Sequence, residues 1–171
     1  MLEELYGQVC GCRRCQLWEG TKHAVFGEGP FDAKVMVVGQ NPGADEDETG
    51  RPFVGRAGKY LSKTLVEFGI RRETLFITNI VKHISPKNRK PSPDEVTACL
   101  PYLQEQIRLI QPKIIILLGA SAKEMPRVAG IKYFEVVHPS AAMRFTKMRE
   151  KFRTQIAELA EQIKQTQQST T

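Results

Sequence analysis

The sequence predicts an α/β protein, a three-layer α/β/α sandwich around a central four-stranded parallel sheet, and three observations predict it. Short apolar runs rich in β-favouring residues recur over positions 35–38, 75–80, 114–118 and 133–137. Between them, apolar residues repeat at helical spacing, so strand and helix alternate along the chain. The third run, Ile114 to Leu118, is apolar throughout, as a strand buried on both faces must be. A chain of 171 residues is long enough for one such domain and too short for two, so residues 1–171 are read as a single domain.

Bulk composition narrows the partners. The chain has 25 Lys+Arg against 19 Asp+Glu, a formal +6, which suits a polyanion such as nucleic acid. No basic leader with an apolar core precedes Cys10, and no apolar run approaches the length of a membrane span, so a cytoplasmic protein is expected. Disulfides are uncommon there. Four cysteines, three of them at Cys10, Cys12 and Cys15, therefore point toward metal or cluster ligation.

Taken in order, Leu2, Leu5, Tyr6 and Val9 predict a short amphipathic helix that leads into the cysteines. Residues 20–32, with three glycines and a proline, predict an irregular connector. The first strand empties into Gly39, Gln40, Asn41, Pro42 and Gly43, a tight loop able to offer backbone N–H groups and two side-chain amides to a ligand. On their own, those glycines and the proline do no more than shape a turn. Asp45, Glu46, Asp47 and Glu48 read as solvated acidic surface, and Leu61, Leu65 and Phe68 mark a helix closed by Gly69.

After the second strand, residues 84–91 form a basic stretch with two prolines and little sign of regular structure. Ser92, Pro93 and Glu95 combine an N-cap, a first-turn proline and a capping-box glutamate, which opens a helix through Cys99. Pro101 is expected to kink or restart it before Ile110. Gly119 and a short helix follow the third strand, and His138, Pro139 and Ser140 follow the fourth. Phe152, Ile156, Leu159 and Ile163 mark a closing helix, with a polar, frayed tail over 165–171. In a parallel sheet Gln40 with Asn41, Asn79, and His138 all leave strands at one edge. Three polar clusters from distant parts of the chain thus converge on one cleft.

At these residues the sequence resembles the uracil-DNA glycosylase superfamily, most nearly its iron–sulfur branch, often called family 4. The resemblance runs from Cys12 to about Phe145 and rests on residues 39–43 (GQNPG), 50–58 (GRPFVGRAG), 78–82 (TNIVK) and 138–140 (HPS) in this order and spacing. It implies an enzyme that flips uracil out of single- or double-stranded DNA and cuts its N-glycosidic bond, leaving an abasic site. Phe53 is then the ring on which the base stacks, beside Gly39 and Gln40. Asn79 reads the amide edge by donating to O4 and accepting from N3–H, a pattern cytosine reverses. His138 places a donor near O2, where charge grows as the base leaves. Asn41 holds the attacking water, with Gln40 beside it. Residues 140–145 resemble a loop that enters the minor groove, with Ser140 on the DNA, Met143 as wedge and Arg144 on a phosphate. A core position for Met143 is the alternative.

Two departures qualify the resemblance. The branch usually carries Glu where this chain has Gln40 and a small residue where it has Asn41, so base range and rate are not carried over; hypoxanthine is a further candidate substrate. His83 stands where the branch has a third cluster cysteine. The implied ligand set is Cys12, Cys15, His83 and Cys99 around a 4Fe–4S cluster, with Cys10 spare, although three thiolates and an imidazole suit zinc as well. Histidine here also resembles a branch that bonds covalently to uracil-DNA, but residues 84–91 lack that branch's second histidine. The competing classes are a covalent or non-catalytic uracil-DNA binder and a redox-sensing iron–sulfur protein. A monomer is expected.

Overall fold

The computed structural model describes residues 1–122 and 125–169. Strands β1 (Val35–Gly39), β2 (Phe76–Asn79), β3 (Ile114–Leu118) and β4 (Lys132–Val136) form one sheet in the order β2-β1-β3-β4, every neighbouring pair parallel. Alternate side chains of a strand leave opposite faces, and here both faces are covered. Met36 and Val38 enter one core with Phe76, Ile115 and Leu117, against α1 (Leu2–Cys10) and α4 (Pro93–Ile110). Val35 and Val37 enter the other with Ile77, Ile114 and Ile116, against α3 (Arg56–Glu67) and α7 (Thr146–Gln168). The three expected layers are present.

The chain runs from β1 outward to β2 and then crosses back to β3, so the strand order reverses beside β1. Ligand sites of open parallel sheets form outside the carboxyl ends of the strands at such a reversal. β1 and β2 end side by side there, Gly39 paired in register with Asn79, and β4 ends two residues before His138.

Several expectations are corrected. Residues 45–48 are not merely solvated surface: they lie on a short helix, α2 (Ala44–Thr49), in which Asp47 Oδ1 accepts from the backbone N–H groups of Lys22 and His23 at 2.9 and 3.2 Å. Pro101 sits inside one continuous helix, α4, which does not restart there. Pro101 and Thr97, the residue whose carbonyl loses its helical partner, are both exposed, where solvent can take the place of the missing N–H. A four-residue helix, α5 (Gly119–Ala122), follows β3 as expected. Residues 140–145 are not a loop: Pro139 at the first turn opens α6 (Pro139–Arg144), which buries Ala142. The tail is helical through Gln168, since its three glutamines favour helix and simply extend α7; residues 170 and 171 lie outside the described residues.

Candidate active site

At the carboxyl edge of β1 and β2 lies a cavity of about 480 Å³ lined by Gln40, Asn41, Asp45, Glu46, Phe53, Asn79 and His138, among others. Gln40, Asn41, Phe53, Asn79 and His138, singled out from sequence, therefore share one pocket. Gly39 contributes by what it lacks. A Cβ there would stand 2.4 Å from Asn79 Oδ1 and 2.5 Å from Phe53 Cζ, so only glycine lets strand, ring and amide meet. The carbonyls of Gly39 and Gln40 accept from the N–H groups of Ile80 and Val81, each at 3.0 Å, which ties the loop after β1 to the chain after β2.

Phe53 is buried with φ at +49°, a left-handed conformation that costs a side-chain-bearing residue about 1 to 2 kcal/mol. Tertiary contacts hold it there. The Arg72 guanidinium donates to the carbonyl of Phe53 at 2.7 Å, to that of Pro52, and to Ser62 Oγ at 3.1 Å. One carboxylate, Glu46, accepts from the N–H groups of Gly43 at 3.0 Å, Val54 at 3.0 Å and Gly55 at 2.7 Å, clamping the loop after β1 to the turn that carries Phe53. Beneath the turn, a Cβ at Gly58 would lie 1.9 Å from the Phe53 carbonyl oxygen. The Phe53 ring then stands 6.3 Å from the His138 ring, tilted by 37°.

Asn79 is 1% exposed, and among the described residues its Oδ1 is the buried side-chain polar atom with no hydrogen-bond partner. An unmade bond at such an atom costs about 1 to 3 kcal/mol, so a ligand N–H is what this position accepts best. On the facing side His138 Nδ1 accepts from the Ser140 N–H at 3.1 Å and lies 2.7 Å from Ser140 Oγ. An acceptor at Nδ1 assigns the proton to Nε2. Burial pushes the imidazole below its ordinary value, which keeps it neutral, a donor through Nε2–H. Asn41 Nδ2 is turned to the Pro42 carbonyl at 3.2 Å and to Ser85 Oγ at 3.5 Å, leaving Oδ1 as the group able to hold a water.

Beside the pocket, Arg56, Ala57, Ser140, Met143 and Arg144 line a groove of about 370 Å³. Arg56, Ala57 and Ser140 belong to both, so the three residues expected on DNA adjoin the pocket. Sequence reasoning missed Asn88, Arg89 and Lys90, which also line it. Lys87 and Asn88 both have φ of +54°, and Arg89 is held by a two-pronged bond to Glu95 at 2.9 and 2.7 Å. That guanidinium is the main reason the Glu95 carboxyl is held down to about 2. Asparagine tolerates left-handed backbone, and that was the available signal. Arg72 left none, because its targets at Pro52, Phe53 and Ser62 lie far back along the chain, and the only local signal of Glu46 was its spacing from Gly43.

The cysteines lie on the α1–α4 side of the sheet, apart from the pocket. Cys99 is buried, and Cys12 and Cys15 pack against the same core. Burial pushes the Cys99 thiol up, with the Lys82 charge and backbone N–H opposing and Cys12 and Cys15 adding to the rise. The backbone N–H of Lys82 donates to Cys99 Sγ at 3.3 Å, which brings the chain preceding His83 against this thiol. His83 is buried and pushed below its ordinary value mainly by that burial, with Asp47 opposing. As the side chains stand, no group of three or more His, Cys, Asp or Glu among the described residues is arranged as a metal site. The donor chemistry nonetheless fits iron–sulfur or zinc: three clustered thiols and one buried, neutral imidazole on adjoining chain. Cys10 is exposed.

Comparison with known proteins bears on this geometry. A family model described as the uracil DNA glycosylase superfamily matches residues 26–161. A type-4 uracil-DNA glycosylase of Sulfurisphaera tokodaii is 50% identical over 119 residues, 69% of this chain and 54% of that protein. One of Pyrobaculum aerophilum is 40% identical over 179 residues, 91% of each chain. One of Thermotoga maritima is 46% identical over 122 residues, 71% of this chain and 64% of that protein. The match thus spans about half of the first relative and nearly all of the second.

Proposed function

The chain belongs to the uracil DNA glycosylase superfamily, and on that premise we propose that it removes uracil from DNA by hydrolysing the N-glycosidic bond, leaving an abasic site. The observation that carries this reading is the partnerless Oδ1 of Asn79 beside the Phe53 ring. A flipped uracil stacks on Phe53 and meets that oxygen with its N3–H while the amide nitrogen donates to O4. Cytosine offers no N–H at N3 and a donor where uracil has O4, so it leaves both bonds unmade.

In the reaction the C1′–N1 bond breaks and its electron pair stays on the base as a uracil anion. Negative charge gathers at O2. The neutral His138, with Nδ1 satisfied by Ser140, offers Nε2–H to that oxygen, a preorganised donor of a kind worth about 3 to 4 kcal/mol in the barrier. Asn41 Oδ1 holds the water that adds to C1′, Gln40 packs beside it, and Gly39 keeps the floor open. An amide is no strong base, so the water bonds to the positive C1′ first and then loses its proton, which balances the charge of the departing uracil anion. Ser140, Met143 and Arg144 face the DNA, Met143 as wedge and Arg144 on a phosphate, drawn in by the net positive charge. The 171 residues act as one domain and a monomer on DNA in the cytoplasm. No helix among the described residues is long and apolar enough to cross a membrane.

Cys12, Cys15, His83 and Cys99 would hold the 4Fe–4S cluster, with zinc the other metal the donors suit. Bound there, it supplies a cross-link between the end of α1, the chain after β2 and α4, and no chemistry in the pocket. Supporting this are the packing of Cys12 and Cys15 against the core that holds Cys99 and the contact of Lys82 N–H with Cys99.

Incubation with single- and double-stranded oligonucleotides carrying one uracil, followed by alkaline cleavage, tests the activity. Strand scission at the uracil is expected, with no scission of the cytosine control. Failure to generate abasic sites would overturn the reading, and a denaturant-resistant protein–DNA band would show a covalent binder instead. Metal analysis of the same preparation is expected to find iron; stoichiometric zinc would exclude the cluster.

A further inference from the structure

Behind the pocket lies a buried cation that the reaction does not use. Lys82 is 0% exposed, and its Nζ sits 2.6 Å from the carbonyl oxygen of Asn79, 2.7 Å from Thr78 Oγ1 and 2.8 Å from Gln106 Oε1. All three partners are acceptors. A carbonyl can only accept; Thr78 Oγ1 spends its hydrogen on the Phe26 carbonyl at 2.8 Å; and Gln106 presents its oxygen because Nε2 donates to the same carbonyl at 2.7 Å. Three acceptors use three N–H bonds, so the group is an ammonium, not an amine. No carboxylate pairs with it in any of these bonds.

An apolar side chain would fill this volume without the cost of burying a charge. What the ammonium does instead is fix a backbone atom of the residue whose side chain is partnerless on the pocket side. With the Asn79 carbonyl pinned inward, and with Gly39 pressed against its amide, the Asn79 side chain has little freedom to turn its oxygen away. We propose that Lys82 is a positioning residue for uracil recognition, its buried ammonium holding Asn79 so that the amide edge is set before the base arrives. This rests on the uracil reading of the pocket. It goes beyond that reading in assigning selectivity to a side chain that touches neither substrate nor solvent.

The test separates positioning from plain stability. Wild type, Lys82→Met, Asn79→Ala and the double variant are compared by inhibition with free uracil and by single-turnover cleavage of uracil-DNA, at a temperature where circular dichroism shows each fully folded. Metal content is measured alongside. Lys82→Met is expected to weaken uracil inhibition and lower cleavage by about tenfold or more, the scale of a lost hydrogen bond to a charged group. In the Asn79→Ala background the same change should cost within about twofold, since the residue it positions is gone. Thr78→Val, an isosteric change that removes one acceptor, should give a smaller loss in the same direction, and it serves if Lys82→Met does not fold. Uracil inhibition unchanged in the folded variant, or equal losses in both backgrounds, would overturn the proposal. Wild type that neither binds nor cuts uracil would instead overturn the reading of the pocket itself.

Discussion

On the Phe53–Asn79 wall of the pocket, the local hold of Lys82 on the Asn79 carbonyl is backed by contacts from afar. Arg72 reaches the Phe53 carbonyl across 19 positions of sequence, Glu46 reaches Gly55 across 9, and Gln106 reaches Lys82 across 24. On the facing wall His138 is oriented by Ser140, two residues on. The first wall is therefore as rigid as the tertiary fold, and the second is as rigid as one helix start. For the proposed reaction that division makes sense, because a base must be chosen before its bond breaks. The donor to the leaving group matters only as charge appears.

If the first wall is rigid, crowding it should be severe. Gly39→Ala would drive a methyl into both Asn79 Oδ1 and Phe53 Cζ, at 2.4 and 2.5 Å. Two such overlaps, each about 1 to 3 kcal/mol, lower kcat/KM for uracil-DNA by about a thousandfold. A steady-state assay of the folded variant checks this, and a loss under tenfold would mean that the wall yields. His138→Ala comes next, at about a hundredfold in single-turnover rate, the scale of one lost oxyanion donor. Its KM should hardly change, since the donor acts on charge that develops late. A KM effect larger than the kcat effect would move His138 to the recognition wall.

This contrast also explains what could be read from the chain beforehand. Gln40, Asn79 and His138 stand at the ends of apolar runs and beside Gly, Pro or polar motifs, so both sheet and pocket were legible. Arg72 was not, nor were the bonds of Glu46 to Val54 and Gly55, and Lys82, although inside the 78–82 stretch, gave no sign of its burial. Arg72 and Glu46 bind backbone groups that the fold brings near, and the Gln106 oxygen that helps to hold Lys82 lies 24 positions away. The short helix α6 was missed for a different reason: its function-bearing residues read as a loop, although Pro139 at the first turn was a usable helix signal.

A milder cut at the first wall tests how its rigidity is distributed. Arg72→Met keeps the stem but removes the donors to Pro52, Phe53 and Ser62. Phe53 should relax from its left-handed backbone. The expected cost is about 2 kcal/mol of stability and about tenfold in kcat/KM, read by thermal melts and cleavage assays. A stability loss with unchanged cleavage would show that Glu46 alone holds the ring.

The smallest expected effect is on the local wall, and its value lies in its pH signature. Ser140→Ala removes the hydroxyl next to His138 Nδ1 but keeps the backbone N–H that also donates to it at 3.1 Å. Half the arrangement survives, so the rate at neutral pH should fall by only about threefold, less than a full neutral hydrogen bond. The acid limb is more telling. Burial lowers the imidazole below its ordinary value of about 6.5, so in wild type Nδ1 gives up its acceptor role at a lower pH than a free imidazole would. Protonation there would set N–H against N–H at Ser140 and swing the ring from its place. The folded state binds that proton less readily than the unfolded one, so this group's contribution to stability is intact above about 6.5 and is lost as the pH falls through the lower folded value. A hydroxyl donating to Nδ1 favours the neutral ring, and taking it away raises the folded value back toward the ordinary one. The acid limb of the Ser140→Ala rate profile should therefore move to higher pH while the plateau drops only slightly. A plateau that falls as far as in His138→Ala, or a limb that does not move, would show that Ser140 does not set the tautomer and that the second wall, like the first, is held from elsewhere in the fold.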